Sequence, residues 1–110
     1  EFSMTYAELF SKVKGMLVGA DVSGIQEHLA FQFNITGEGE GAFYVEVKDG
    51  RVIVEPYEYH DRDVLFTCSA ATLEKIASGK LDPILAVTLQ KLKVEGNIEK
   101  ALQFKGLLKK

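Results

Sequence analysis

Residues with catalytic or ligating chemistry are few in this chain, and they are scattered. Glu58, His60, Asp61 and Asp63 gather metal-ligand types in one short segment. Their spacing matches no recognised zinc or calcium site, so solvated loop charges are the plainer reading. Gly37, Gly39 and Gly41 lack the strand–GxGxxG–helix setting of a phosphate cradle. Glu38 and Glu40 between them would repel a phosphate, so a hairpin loop is expected there. Cys68 falls in phase with Val64 and Phe66 on a strand-like run and reads as a small buried hydrophobe. A nucleophilic cysteine needs a basic neighbour, and neither His28 nor His60 lies near it in sequence. Both histidines read as surface residues without an obvious partner, and no serine occupies a GxSxG turn. One acid–base arrangement stays open: Tyr44, Tyr57 and Tyr59 with Glu46 and Glu58, provided that they meet inside a cavity. No catalytic residue, cofactor or metal is assigned.

The apolar residues are better organised. Gly79 reads as a helix stop, then Asp82 as a capping carboxylate and Pro83 as a first-turn proline. Residues 84–90 follow without a charge: Ile84, Leu85, Ala86, Val87, Thr88, Leu89 and Gln90. A helix apolar all the way round is expected to be covered on nearly every side. Lys91, Lys93 and Glu95 then alternate with Leu92 and Val94, the period of a half-buried strand. Asn97 caps a last helix carrying Ile98, Ala101, Leu102, Phe104 and Leu108. Such a helix beside a strand and a further helix can fill a core or wall a chamber, and the function turns on which.

Upstream, Thr5 and Glu8 fit a capping box ahead of Tyr6, Leu9, Phe10, Val13 and Leu17 at helical spacing, with Gly19 as the stop. Residues 21–27 read as a short helical turn. Leu29, Phe31, Phe33 and Ile35 alternate with polar or small residues, as do Phe43, Val45 and Val47. Asp49-Gly50 is a hairpin signal leading to a third strand over 51–55. Residues 56–62 read as a loop, 64–68 as a fourth strand and 70–78 as a helix bearing Leu73, Ile76 and Ala77. The order is helix, four strands, two helices, strand, helix. It implies an α+β fold, a mainly antiparallel five-stranded sheet with helices gathered on one face.

A chain of 110 residues forms one domain, expected over 4–110, with Glu1-Phe2-Ser3 before Met4 as an expression remnant. The net charge of −3 offers no general attraction to nucleic acid or to an anionic membrane. Its distribution is uneven. Residues 1–69 hold 5 Lys/Arg and 12 Asp/Glu, whereas residues 70–110 hold 8 Lys and 4 Asp/Glu. One cysteine excludes an internal disulfide framework. No apolar run is long enough to span a bilayer, and a cytoplasmic setting without a leader is expected.

Residues 63–67 (DVLFT) entering a helix, then GKLDP over 79–83, KLKV over 91–94 and Gly96-Asn97, closely resemble the sterol carrier protein 2 family. Residues 31–35 (FQFNI) and 45–50 (VEVKDG) are similar to that family's first hairpin. The resemblance covers about residues 5–108. It implies an apolar tunnel between sheet and helices that holds sterols, fatty acids, acyl-CoA or phospholipids. Three positions depart from the family pattern. Gln90 stands where glycine is usual, Ala70 replaces a capping aspartate and leaves Ser69 as the cap, and Lys100 falls at a commonly apolar site, where it would narrow or polarise the tunnel mouth.

The reading that results is a non-enzymatic lipid-binding or transfer domain for a fatty-acyl, acyl-CoA or sterol-like ligand. The tail is expected against Phe31, Phe33, Phe43, Ile84, Leu85, Thr88, Leu89, Leu102, Phe104 and Leu108, with Lys91, Lys93 or Lys105 near a headgroup. Transient contact with a membrane surface is part of that expectation. The alternatives are an enzyme using the same chamber on a hydrophobic substrate, or a module that docks a partner through an exposed apolar helix face.

Overall fold

Local capping chemistry sets the helices in the computed structural model, which describes residues 4–108. The expected remnant, Glu1 to Ser3, and Lys109 and Lys110 at the end of the expected domain lie outside the described residues. Helix α1 (Tyr6–Leu17) opens on the capping box: Glu8 N donates to Thr5 Oγ1 at 3.1 Å, and Thr5 N donates to Glu8 Oε1 at 2.8 Å. Ser69 caps α2 (Ala70–Ala77) by accepting from Thr72 N at 3.2 Å, so it takes the role vacated at Ala70. Asp82 and Asn97 cap α3 (Pro83–Thr88) and α4 (Ile98–Leu107) in the same way, each at 3.0 Å. Between α1 and the sheet, the helix expected over 21–27 is a single turn. It is closed by Ile25 N donating to Val22 O, with Asp21 accepting from Ser23 N.

The strands are β1 (Leu29–Thr36), β2 (Gly41–Lys48), β3 (Arg51–Glu55), β4 (Val64–Ser69) and β5 (Leu92–Gly96), in the element order expected from the sequence. They lie side by side as β3-β2-β1-β4-β5. Three of the four pairings are antiparallel, and the central β1–β4 pair is parallel, so the sheet is mixed. Asp49 and Gly50 both take positive φ, 52° and 75°, the geometry of a two-residue hairpin turn that matches strand twist.

Register carries the alternation across the sheet. Phe33 lies opposite Phe43 of β2 on one side and Phe66 of β4 on the other. The three rings stack at 5.0 Å and 4.9 Å, and Phe104 of α4 closes on Phe33, Phe31 and Phe66 at 5.1–5.4 Å. Each such aromatic pair adds about 0.5–1.5 kcal/mol beyond area burial. Helix α1 covers the β2–β3 half of this face. Phe10 meets Phe43 edge-on at 5.7 Å, Tyr6 donates its hydroxyl to Ala42 O, and Lys12 pairs with Glu74 of α2. The other half, over β4 and β5, is left to α2, α3 and α4.

Candidate functional site

Between that second half of the sheet and the three helices lies a cavity of about 250 Å³. Its floor is Phe33, Phe66 and Phe104, all buried. Leu73 and Ile76 of α2 and Leu92 and Val94 of β5 form the sides. Pro83, Ile84, Val87 and Thr88 of α3 face Ile98, Ala101, Leu102 and Lys105 of α4 around the mouth. Only Thr88 and Lys105 among these fifteen side chains are polar. The Thr88 hydroxyl donates to Ile84 O at 3.2 Å and is thereby satisfied within its own helix. Lys105 pairs with Asp82 at 2.8 Å, an ion pair that ties α4 to the cap of α3 beside the mouth. The hydrogen bond from Lys105, with that from Leu85 N, holds the Asp82 carboxyl below its usual range.

Of the residues expected against a lipid tail, Phe33, Ile84, Thr88, Leu102 and Phe104 line this cavity. Phe31 and Phe43 do not. They are buried behind the floor, Phe31 against Phe66 and Phe104, and Phe43 between Phe33 and Phe10. Leu108 packs on the core instead, and Leu85 and Leu89 point away from the lining. Phe66, Leu73, Ile76, Leu92 and Val94 sit on faces whose alternation or helical spacing was legible. What placed them on this wall is the strand order, which carries β4 and β5 past β1.

The expectation that residues 84–90 are covered on nearly every side is overturned. Ile84, Leu85, Val87 and Leu89 are 44–50% exposed, and Ala86 alone in α3 is buried. Uniform apolarity here has a different origin. Ala86 seats the helix, one flank faces the cavity, and Leu85 and Leu89 form an outer flank in solvent. Across the mouth, Ile98 and Leu102 are 57% and 54% exposed.

Lys100 likewise departs from its expected place at the mouth. Its ammonium turns back to Asp63 Oδ1 at 3.0 Å and does not line the cavity. Asp63 is not a free loop charge either, because its other carboxylate oxygen accepts from Ala30 N at 2.8 Å and its own N–H donates to Ala30 O. Lys91 and Lys93 border a separate, polar cleft with Thr36, Thr67, Ser69 and Lys75.

The tyrosine–glutamate arrangement exists in part, on the opposite face of the sheet. Tyr59 donates to Glu46 Oε2 at 2.8 Å, and the same oxygen lies 2.5 Å from His28 Nε2, so His28 does have a partner. Tyr44 packs edge-on against Tyr59 at 5.0 Å. Gln32, also buried there, accepts from Tyr59 N and donates to Asn34. Burial opposes the charge on Glu46, but the hydrogen bonds from His28 and Tyr59 outweigh it and hold the carboxyl below its ordinary range. The same bond, with burial, pushes the Tyr59 phenol up to about 12. None of Tyr44, Tyr57, Tyr59, Glu46 and Glu58 touches the cavity. The group ties the 56–62 loop to the sheet. Cys68 is buried, which pushes its thiol up to about 12 and makes it a poor nucleophile.

Comparison with known proteins places the cavity in context. The chain is 33% identical over 102 residues to hydroxysteroid dehydrogenase-like protein 2 of Rattus norvegicus, covering 92% of this chain and 19% of that protein. It thus spans about a fifth of the length of that relative. Palmitated SCP2L2 from Aedes aegypti shares the fold with a TM-score of 0.72 at 21% identity, over 97% of this chain and 96% of that one. The sec-alkylsulfatase Pisa1 from Pseudomonas contains a similar unit, with a TM-score of 0.66 at 20% identity, over 92% of this chain and 14% of the sulfatase. Residues 5–109, nearly the whole chain, match the SCP-2 sterol transfer family, to which this protein belongs.

Proposed function

We propose that the cavity takes the hydrocarbon tail of a long-chain fatty acid or similar lipid and that the domain carries it without converting it. The observation that carries this reading is the lining, apolar except for one self-satisfied hydroxyl and one lysine. Phe33, Ile84, Thr88, Leu102 and Phe104 are the tail contacts from the expected set, joined by Phe66, Leu73, Val87 and Val94. Lys105 stands at the mouth paired with Asp82, and a carboxylate or other acidic headgroup arriving there would compete with Asp82 for its ammonium. The palmitated insect neighbour supports an acyl ligand. A carrier that returns its cargo must reach a bilayer, so transient membrane contact belongs to the same reading. A cytoplasmic setting fits the free, buried Cys68.

At about 250 Å³ the cavity is smaller than the ~300–1,000 Å³ of pockets that enclose a drug-sized ligand. A long tail therefore fills it and runs out over Ile84, Val87 and Leu102. Calorimetric titration along a saturated series from octanoate to palmitate tests this. Affinity is expected to rise by at most about 0.8 kcal/mol per methylene while the cavity fills, then to level off. Affinity independent of chain length would refute a tail site.

A second reading rests on coverage. The matched unit is 19% of the dehydrogenase-like relative and 14% of the sulfatase. In such a setting the domain presents a hydrophobic substrate to a neighbouring catalytic domain. The distance of Glu46 and Tyr59 from the cavity supports assigning the chemistry, in that case, to the neighbour.

A further inference from the structure

Six aliphatic side chains, Ile84, Leu85, Val87, Leu89, Ile98 and Leu102, stand about half exposed around the cavity mouth. Four of them both line the cavity and face outward, so the inner apolar wall continues without a break onto the outer surface. We infer that this α3–α4 face is where the protein docks, mouth down, on a bilayer bearing anionic lipids. The inference deepens the acyl-carrier reading and rests on it.

Two observations select a lipid surface over a protein partner. The first is side-chain type. Protein interfaces concentrate their binding energy in Trp, Tyr and Arg, with Leu and Val under-represented, and this patch holds only Ile, Leu and Val. Small, interchangeable aliphatic groups suit a fluid acyl phase that needs no shape match. The second is charge. No ionisable residue occurs from Pro83 to Gln90, while exposed Lys80 and Lys91 stand at the two ends of α3. Asp82 is neutralised by Lys105, which leaves Glu99 as the exposed carboxylate beside Ile98. A tail leaving the cavity would then pass from protein to bilayer without crossing water.

Leu85 and Leu89 make the test clean, because they belong to the patch and not to the cavity lining. The 110-residue chain is sedimented with phosphatidylcholine vesicles with and without phosphatidylserine. Binding of a fluorescent palmitate analogue is measured separately in vesicle-free buffer. Wild type is expected to bind the phosphatidylserine vesicles more tightly, and the Leu85→Gln/Leu89→Gln pair at least tenfold more weakly than wild type. The Lys80→Gln/Lys91→Gln pair is expected to lose most of the phosphatidylserine increment. All three proteins are expected to bind the palmitate analogue within twofold of one another. Vesicle binding that is absent, or unchanged by the leucine pair, would overturn the docking face while palmitate binding still stands. Self-association in light scattering that the leucine pair abolishes would assign the patch to a second copy and overturn it too. Loss of palmitate binding in wild type would instead remove the carrier reading beneath it.

Discussion

Replacing Gln90 by glycine is expected to stabilise the protein, and the structure gives the size of the effect. Helix α3 ends in a Schellman motif: Gln90 N–H donates to Val87 O at 3.0 Å and Lys91 N–H to Ala86 O at 2.8 Å. That motif needs a left-handed residue just past the helix, and Gln90 supplies it with φ of 62°. A left-handed backbone costs a residue with a Cβ about 1–2 kcal/mol. Glycine removes that strain but gives back about 0.4–1 kcal/mol through the larger entropy of its unfolded chain. The net gain is about 0.5–1 kcal/mol. With an unfolding entropy of roughly 2.1 cal/mol/K per residue, this raises the midpoint of a chain this size by about 2–4 °C. The Gln90 side chain makes no hydrogen bond among the described residues, so little else is lost. Thermal and urea denaturation of Gln90→Gly and Gln90→Ala against wild type isolate the term. Alanine removes the side chain but keeps the strain, so only glycine should rise. Equal shifts in the two variants, or a fall in Gln90→Gly, would refute the account of a strained helix end.

Two further predictions concern the two faces of the sheet. Thr88→Leu enlarges a side chain that faces open cavity, so the melting temperature should stay within a few degrees while palmitate affinity falls at least tenfold; in a close-packed site the same change would cost about 1–3 kcal/mol by overpacking. On the opposite face, Glu46 has a lowered pKa, so its contribution to stability is fully present above its ordinary value of 4.5 and fades as pH falls through the lower folded value. Urea midpoints should therefore fall less steeply below pH 4.5 in Glu46→Gln than in wild type, and parallel acid limbs would show that the carboxylate is not the titrating group.

What the sequence reveals divides along the range of the physics. Thr5 with Glu8, Asp82 ahead of Pro83, Asn97 and Asp49-Gly50 act within three residues of themselves, and each does in the structure what its local chemistry requires. Alternation likewise put Phe33 and Phe66 on inward faces. It did not distinguish Phe31 and Phe43, which sit under neighbouring helices, from Phe33, which floors the cavity. That distinction belongs to the strand order, set by pairings between residues about thirty positions apart. His28 and Glu46 were invisible as a pair for the same reason, since their meeting depends on the register of two strands. The misreading of residues 84–90 is instructive in another way. Uniform apolarity carries no phase, so it could not say that Ala86 alone would be buried while Leu85 and Leu89 stand in solvent.

The parallel β1–β4 pair also has a meaning in time. Strands β1, β2 and β3 are consecutive and joined by short turns, so they can zip together from local contacts alone. Strand β4 must instead pass the whole hairpin to reach the free edge of β1, and only then do β5 and α4 have anything to lean on. Contact order therefore predicts that the half holding the cavity pairs last. Until α2, α3 and α4 close over it, the floor that Phe33 and Phe66 form would stand open to water, so the side chains that line the cavity would be the last of the core to be covered.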